Sequence, residues 1–176
     1  AEDISSFSAS ELKEIARAMN ISASNIFNLL NNLLEWSRLQ QGHLLYNPVQ
    51  IDLNKLIIQA IETNGQSLNE KNISVRFEPE YKVEALVDEH MMSLVFRNIL
   101  SNAIKFSHKS SFILISLNLN NNIVSVAIQD FGIGMPAEVA ASLFKISESI
   151  NRKGTSGETS TGLGLVLCKE FIDQHK

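Results

Sequence analysis

Few residues in this sequence can cross-link or interrupt the chain. Cys168 is the only cysteine among 176 residues, which excludes an internal disulfide framework and is typical of a reducing compartment. The chain has three prolines and eight glycines, and the first residue of either type is Gly42. Residues 1–41 therefore contain no strong helix breaker, which favours one long helix there.

Long apolar runs and clustered positive charge are also missing. No stretch is apolar over enough residues to span a bilayer, and the first residues lack the basic, apolar and small-residue pattern of a signal peptide. The net charge is −4, and no basic stripe is present that would follow a phosphate backbone. We expect a soluble, cytoplasmic fragment that is not embedded in a membrane and binds no nucleic acid. Whether a longer parent protein is anchored in the inner (plasma) membrane is left open.

The N-terminal segment has the pattern of an amphipathic helix. Ser8 is followed three residues later by Glu11, the spacing of a capping box, so we predict a helix start there. Apolar residues then recur at steps of three, four or seven through Leu33, and the apolar stripe is broad. Such a helix needs a packing partner for stability. A second helix, as in a homodimer, is the expected partner, and the sheet of its own domain is the alternative.

The remaining chain alternates helical and strand patterns. Asn47-Pro48 indicates a connector, which divides the chain into residues 1–45 and residues 46–176. Asp52 is the predicted cap of a helix that extends through Leu68, Asp88 is the predicted cap of a second helix, and Pro136 is predicted to start a short helix. The predicted core face of the helix after Asp88 consists of Met92, Val95, Phe96, Ile99, Leu100, Ala103 and Ile104. We predict strands at residues 73–77, 83–87, 112–117 and 123–128, and a final helix at residues 162–174. The predicted class is α+β: a two-layer α/β sandwich with a mixed sheet and helices on one face, preceded by a long N-terminal helix.

Three polar segments could close on one adenine nucleotide. On the helix at residues 97–106, Asn102 offers an amide oxygen to Mg²⁺ and Lys105 offers a point charge to phosphate. In the turn at residues 130–135, the Asp130 carboxylate can accept a hydrogen bond from the adenine amine, and Gly132 and Gly134 allow close backbone approach. The glycine-rich loop at residues 154–164 offers N–H and hydroxyl donors at a helix start. Neither a P-loop nor a dinucleotide-binding G-x-G-x-x-G motif is present.

These segments resemble the motifs of the catalytic, ATP-binding domain of sensor histidine kinases, within the Bergerat-fold ATPase superfamily. Residues 97–106 are similar to the N box, residues 130–134 to the first glycine box, residues 143–145 to the F box and residues 154–164 to the second glycine box. Residues 33–42 are similar to the end of the second helix of the dimerisation and phosphotransfer domain. The resemblance implies ATP or ADP and Mg²⁺ as cofactors, and a phosphotransfer helix and a response-regulator receiver domain as partners.

The same resemblance implies the roles of individual residues. Adenine would lie on Asp130 and Mg²⁺ on Asn102 with Asn98 beside it, while Asn98 and Lys105 would be the catalytic residues. The full set of residues implied in cofactor binding is Asn98, Asn102, Lys105, Phe106, Asp130, Gly132, Gly134, Met135, Phe144, Gly154, Thr155, Gly157, Thr161, Gly162, Leu163 and Gly164.

Two departures from the family pattern separate the possible functions. None of the four histidines (His43, His90, His108 and His175) lies in an H box, so we expect all four to be solvated surface residues and the phosphoacceptor to lie outside this chain. We also expect the catalytic domain to be truncated before its last strands. Hydrolases of the superfamily carry a glutamate where this chain has Asn98, and an amide cannot act as the base for water. A kinase fragment is therefore preferred over an ATP hydrolase or clamp, and over a non-catalytic nucleotide-binding dimerisation module.

Overall fold

The computed structural model describes residues 7–41, 46–144, 153–158 and 162–175. The chain divides into two compact units, Ala1–His43 and Leu44–Lys176. Within the described ranges, no helix has the length and hydropathy that crossing a membrane would require.

In its described part, the first unit contains the helix α1, Ala9–Gln40. Its start has the predicted capping box: Ser8 N–H donates to Glu11 Oε2 at 2.7 Å, and Glu11 N–H donates to Ser8 Oγ at 3.3 Å. Large apolar side chains of its stripe are exposed, including Met19 and Phe27, each at about two thirds of its full surface. The capping prediction is confirmed, whereas the partner of the stripe stays a prediction. Gly42 and His43, which follow the helix, lie outside the described residues.

The second unit contains five helices and five strands in its described part. The helices are α2 (Leu53–Thr63), α3 (Gly65–Lys71), α4 (Glu89–Phe106), α5 (Ala137–Ser142) and α6 (Leu163–Gln174). The strands are β1 (Val49–Asp52), β2 (Ser74–Arg76), β3 (Glu84–Val87), β4 (Phe112–Asn120) and β5 (Ile123–Asp130). This mixture of helices and strands confirms the predicted α+β class.

The strands form two sheets. In the three-stranded sheet, the order is β2-β4-β5; β2 pairs with β4 in parallel, and β4 pairs with β5 antiparallel, so this sheet is mixed as predicted. Strand β1, which was not predicted and follows the predicted connector Asn47-Pro48, pairs antiparallel with β3 in a separate two-stranded sheet. The β4–β5 hairpin turns at Asn121 and Asn122, both with positive φ, as a two-residue loop of this kind requires.

Helix α4 is the centre of the core. It packs against α2 on one side and α6 on another, and it also contacts β5. Asp88 caps it by accepting a hydrogen bond from Met91 N–H at 3.0 Å, which confirms the predicted cap. Alternate residues of β4 are buried, Ile113 and Ile115 among them, so one face of the sheet lies under the helices.

Two expectations from the sequence were wrong. The helix predicted to extend from Asp52 through Leu68 is divided at Asn64. The buried side-chain amide of Asn64 donates to Ala60 O at 2.8 Å and so competes with the helical pattern. His175 is half-buried rather than solvated. Its Nε2 accepts a hydrogen bond from Asp88 N–H at 2.9 Å, and its Nδ1 lies 2.6 Å from the carbonyl oxygen of Phe171.

Candidate functional site

The last turns of α4 carry the polar residues of the predicted N box. Asn98, Asn102 and Lys105 are all half-buried, in contrast to the fully buried residues on the opposite side of the same helix. Partial burial leaves each polar side chain within reach of a ligand while restricting its freedom. The turn after β5 and the loop at residues 153–158 both contact this end of α4.

The turn that follows β5 is joined to the end of α4 through Gly132. Ile133 N–H donates to Phe106 O at 3.1 Å, and Ser107 and Gly132 form an isolated antiparallel bridge. An ideal Cβ on Gly132 would lie only 1.9 Å from the same Phe106 oxygen. Glycine is therefore required here because the turn packs on the backbone of α4, a reason different from the close approach to a base that the sequence suggested.

Asp130 is held in a fixed position by that turn. Its Oδ1 accepts a hydrogen bond from Gly132 N–H at 3.0 Å, and the residue is half-buried at the end of β5. Gly134 adopts φ +55°, and apart from its chain neighbours no described residue has an atom within 4 Å of where its Cβ would stand. The turn thus presents a carboxylate beside a glycine whose Cβ position is open, as a site for a flat base with an amine requires.

The first part of the glycine-rich loop, residues 153–158, also lies on the end of α4. Thr155 N–H donates to Lys105 O at 3.0 Å, and Thr155 Oγ1 donates to Ser107 O at 2.7 Å. An ideal Cβ on Gly154 would lie 2.6 Å from Lys105 Cγ, so only glycine allows this approach. The loop is therefore packed against both the backbone and the side chain of Lys105.

Lys105 itself lies in a mixed environment. Partial burial lowers the pKa of its ammonium, the charge of Lys71 lowers it further, and the carboxylate of Glu158 acts in the opposite direction, with a net lowering. Its Nζ lies 5.3 Å from the centre of the Phe106 ring. An anionic phosphate group nearby would favour the charged form of this lysine.

The second part of the loop enters α6 beside Asn98. Gly162 has φ +73°, and an ideal Cβ on Gly164 would lie 3.4 Å from Asn98 Oδ1. Burial raises the pKa of the Cys168 thiol to about 11, and a hydrogen bond with the Asn98 side chain offsets part of that rise. The Asn98 amide is therefore positioned between α4 and the first turns of α6.

The remaining predicted residues differ in how exposed they are. Phe106 and Leu163 are half-buried, whereas Met135, Phe144 and Gly157 are exposed, and Gly157 has φ +86°. Thr161, predicted as a phosphate-binding residue, lies outside the described residues, as does Lys145 of the predicted F box.

Three residues at this site were missed by sequence reasoning. Ser107 is fully buried, with its carbonyl in contact with the loop; Lys71 and Glu158 form an ion pair at 2.8 Å between α3 and the loop. A lysine in the last turn commonly indicates the C-terminal end of a helix. The distant residues that pair with such a lysine cannot be identified from the sequence.

The available ligands suit Mg²⁺ held mainly by phosphate and water. In the described parts of the chain, no group of three or more His, Cys, Asp or Glu side chains could hold a metal ion. The half-buried Asn102 instead offers a hard amide oxygen, and Mg²⁺ commonly keeps several waters and takes few protein ligands when it accompanies a nucleotide.

Similarity to known proteins identifies the family of this chain. The family model of histidine kinase-, DNA gyrase B- and HSP90-like ATPases matches residues 87–176. The sensor-like histidine kinase SenX3 of Mycobacterium tuberculosis is 25% identical over 164 residues, which make up 93% of this chain and 40% of SenX3. The chain thus spans well under two thirds of that curated relative's length.

Solved structures show the same fold. Histidine kinase AdeS of Acinetobacter baumannii has a TM-score of 0.72 at 19% identity, covering 95% of this chain and 75% of AdeS. Histidine kinase ThkA, solved in complex with the response regulator protein TrrA, has a TM-score of 0.72 at 20% identity, covering 96% of this chain and 46% of ThkA. Since the family model covers more than half of the sequence, this chain belongs to the histidine kinase-, DNA gyrase B- and HSP90-like ATPase family, and the resemblance to sensor histidine kinases is confirmed.

Proposed function

We propose that this chain is the catalytic fragment of a two-component sensor histidine kinase. It binds Mg-ATP and transfers the γ-phosphoryl group to a histidine outside the fragment, for onward relay to a response regulator. The observation that carries the proposal is the convergence of three segments on the end of α4: the Asp130 turn, the loop at residues 153–158 and the start of α6.

The proposed roles follow the chemistry of each side chain. The Asp130 carboxylate accepts a hydrogen bond from the adenine amine. The hydrogen bond that it accepts from Gly132 N–H positions it for this contact. The Asn102 amide oxygen ligates Mg²⁺, and the Lys105 ammonium stabilises phosphate charge. When bound, Mg-ATP supplies the transferable phosphoryl group and a metal that neutralises charge on it. The fragment contributes position and charge.

Asn98 argues against ATP hydrolysis as the main activity. Its side chain is a neutral amide beside Gly164 and Cys168, so it offers no group that could take a proton from an attacking water. Its proposed role is to hold the start of α6 against α4, beside the metal position. An ATP hydrolase or clamp is therefore the less favoured function.

A non-catalytic dimerisation module is the other alternative. Such a module would need neither the Asp130 carboxylate nor a half-buried Lys105, yet both polar groups are present in ordered surroundings. Their presence favours a working nucleotide site over a vestigial one.

The proposed organisation has two parts. Residues 1–45 are part of a dimerisation and phosphotransfer region, and the exposed apolar stripe of α1 supports pairing with further helices in a homodimeric parent. Residues 46–176 are the catalytic domain. The structure of the relative ThkA with the response regulator TrrA supports a receiver domain as the final phosphoryl acceptor.

The decisive experiment supplies the missing histidine. The chain would be incubated with γ-labelled ATP, Mg²⁺ and the parent protein carrying an inactivated nucleotide site, and the partner would be analysed for acid-labile label. We expect label on the partner and none on the chain alone.

Two controls define the result. A partner whose phosphoacceptor histidine is replaced by glutamine should take no label, and a chain carrying Asp130→Asn should transfer much less. Stable acid-labile label on the isolated chain would contradict the assignment of the acceptor. Release of inorganic phosphate as the main product, with or without the partner, would favour the hydrolase.

A further inference from the structure

Lys71, the last residue of α3, is a buried cation at which four acceptors meet. Only 6% of the residue is exposed, and its Nζ lies 2.9 Å from Ile104 O and 2.8 Å from each of Lys105 O, Thr155 Oγ1 and Glu158 Oε1. A buried ammonium is costly unless it is paired and hydrogen-bonded, and here all three of its N–H groups have acceptors.

These four acceptors belong to two different parts of the chain. Two are carbonyl oxygens of the last turn of α4, where the helix has unsatisfied acceptors and the negative end of its dipole. The other two, on Thr155 and Glu158, belong to the loop at residues 153–158. Lys71 therefore joins the end of the N-box helix to the glycine-rich loop.

The loop is built to present its acceptors to Lys71. Glu158 Oε2 accepts a hydrogen bond from Ser156 N–H at 2.9 Å, and Glu158 O accepts one from Gly154 N–H at 2.8 Å. Glu158 thus closes its own loop with one carboxylate oxygen and binds Lys71 with the other. Partial burial would raise the pKa of Glu158, but the hydrogen bond from Lys71, with help from backbone N–H donors, lowers it below its ordinary value.

We propose that Lys71 is a positioning residue for nucleotide binding, acting by holding the loop at residues 153–158 on the end of α4. Lys71 donates a hydrogen bond to the carbonyl oxygen of Lys105, and the side chain of Lys105 packs against Gly154 of the loop. By holding the backbone of Lys105 and the loop together, Lys71 restricts the Lys105 ammonium, which is the group proposed to bind phosphate. The inference rests on the proposed function of this site. Lys71 lies outside the range that the family model matches, residues 87–176.

The charge on Lys71 has a second consequence. Glu158 acts electrostatically on Lys105 as well as pairing with Lys71. If Lys71 is neutralised, the Glu158 carboxylate keeps its charge without its main partner, close to where phosphate would bind. A loss of nucleotide affinity in a folded Lys71 variant should therefore be partly reversed by neutralising Glu158. A role of Lys71 in folding stability alone would leave the affinity of the folded variants unchanged.

The test is a double-mutant cycle with Lys71→Met, Glu158→Gln and the double variant. Affinity for Mg-ADP is measured by calorimetry, and amide hydrogen exchange is followed at Thr155, whose N–H donates to Lys105 O. Lys109→Met, an exposed lysine, is the matched control. We expect Lys71→Met to speed amide exchange at Thr155 and to weaken Mg-ADP binding about tenfold. A tenfold loss corresponds to a variant whose loop is docked on α4 about one tenth of the time.

The remaining variants complete the expected pattern. Lys109→Met should bind as the wild type does, Glu158→Gln should have a smaller effect than Lys71→Met, and the double variant should bind more tightly than Lys71→Met. If Lys71→Met does not fold, judged by circular dichroism, the same cycle is run with Lys71→Gln, which also removes the charge but keeps a hydrogen-bond donor for the same acceptors.

The outcomes separate the two proposals. A wild-type chain that binds no Mg-ADP overturns the proposed function and the positioning role together. A wild type that binds, with a folded Lys71 variant of equal affinity, overturns only the positioning role. Additive effects of the two substitutions also overturn it, because the charge of Glu158 would then act independently of Lys71.

Discussion

The carbonyl oxygen of Phe106 occupies the space that a side chain at Gly132 would need. An ideal Cβ there would lie 1.9 Å from that oxygen and 2.9 Å from Ser107 Cα, and both obstacles are backbone atoms that cannot rotate away. The close contact between the turn after β5 and the end of α4 therefore depends on the missing side chain. It makes this glycine a structural requirement of the site even without a nucleotide.

Gly132→Ala should destabilise the free protein. The added methyl group must push the turn away from α4, and overpacking of this kind costs about 1–3 kcal/mol. The free energy of unfolding from urea titration is the measurement. Gly65→Ala is the matched control. Apart from its own helix backbone, no described residue has an atom within 4 Å of a Cβ at that position, so the substitution should be neutral or stabilising. Equal stability of the Gly132→Ala variant and the wild type would contradict the packing argument.

Asp130→Asn and Asn102→Ala should affect nucleotide binding in different ways. Loss of the carboxylate removes the acceptor for the adenine amine and should weaken ADP binding about tenfold or more, with or without Mg²⁺. Loss of the Asn102 amide should leave metal-free affinity nearly unchanged and remove most of the gain from Mg²⁺. Calorimetry with and without Mg²⁺ tests both effects, and Asn118→Ala on the exposed part of β4 is the control. Unchanged affinity in both variants would refute the assignment of the pocket.

The Cys168 thiol should be unreactive at neutral pH and should make stability depend on alkaline pH. Burial raises its pKa from 9.0 to about 11 in the folded chain, so the unfolded chain releases this proton first as the pH rises. The contribution to stability is complete below about pH 9 and is lost as the pH rises towards 11. Between pH 8 and pH 10.5 the wild type should lose about 2 kcal/mol more unfolding free energy than Cys168→Ala.

Urea titrations of the two proteins at both pH values measure this difference, and the comparison cancels the titration of other groups. Rapid reaction of the native thiol with a disulfide reagent at pH 8 would contradict the buried environment. A parallel pH dependence of both proteins would do the same.

His175 should adopt a single neutral tautomer. Because Nε2 accepts the hydrogen bond from Asp88 N–H, the proton lies on Nδ1, which then donates to Phe171 O. Two-dimensional ¹H–¹⁵N spectra of the imidazole nitrogens distinguish the tautomers, with exposed His108 as an internal reference for an averaged ring. A predominantly Nε2–H ring at His175 would show that the contact with α4 is not formed.

Helix starts and the hairpin turn were predictable because their determinants are local. Ser8 with Glu11, and Asp88 with Met91, make their capping bonds over three residues, and Asn121 with Asn122 supplies the positive φ values of a two-residue turn. Most residues of the predicted buried face of α4 are indeed buried, since helical periodicity alone specifies which side chains share a face.

Long-range contacts were not predictable in the same way. Strand β1 was missed because its pattern becomes a strand only when β3 pairs with it, and His175 was misassigned because Asp88, its partner, lies far away in sequence. The division of the second helix at Asn64 reflects a buried amide whose preference for its own backbone was not weighed.

The sequence by itself determined the family, the α+β class and the types of side chain that could hold a nucleotide. Motifs, periodicity and capping involve residues that are close together in the sequence, so they can be recognised without the structure. Only the tertiary structure decided how those groups are held: Gly132 on the backbone of Phe106, Asn98 against Gly164, and Lys71 between α4 and the loop. The physical reason is that burial, close approach and the pairing of a buried charge depend on which distant residues meet, and no local pattern specifies that meeting.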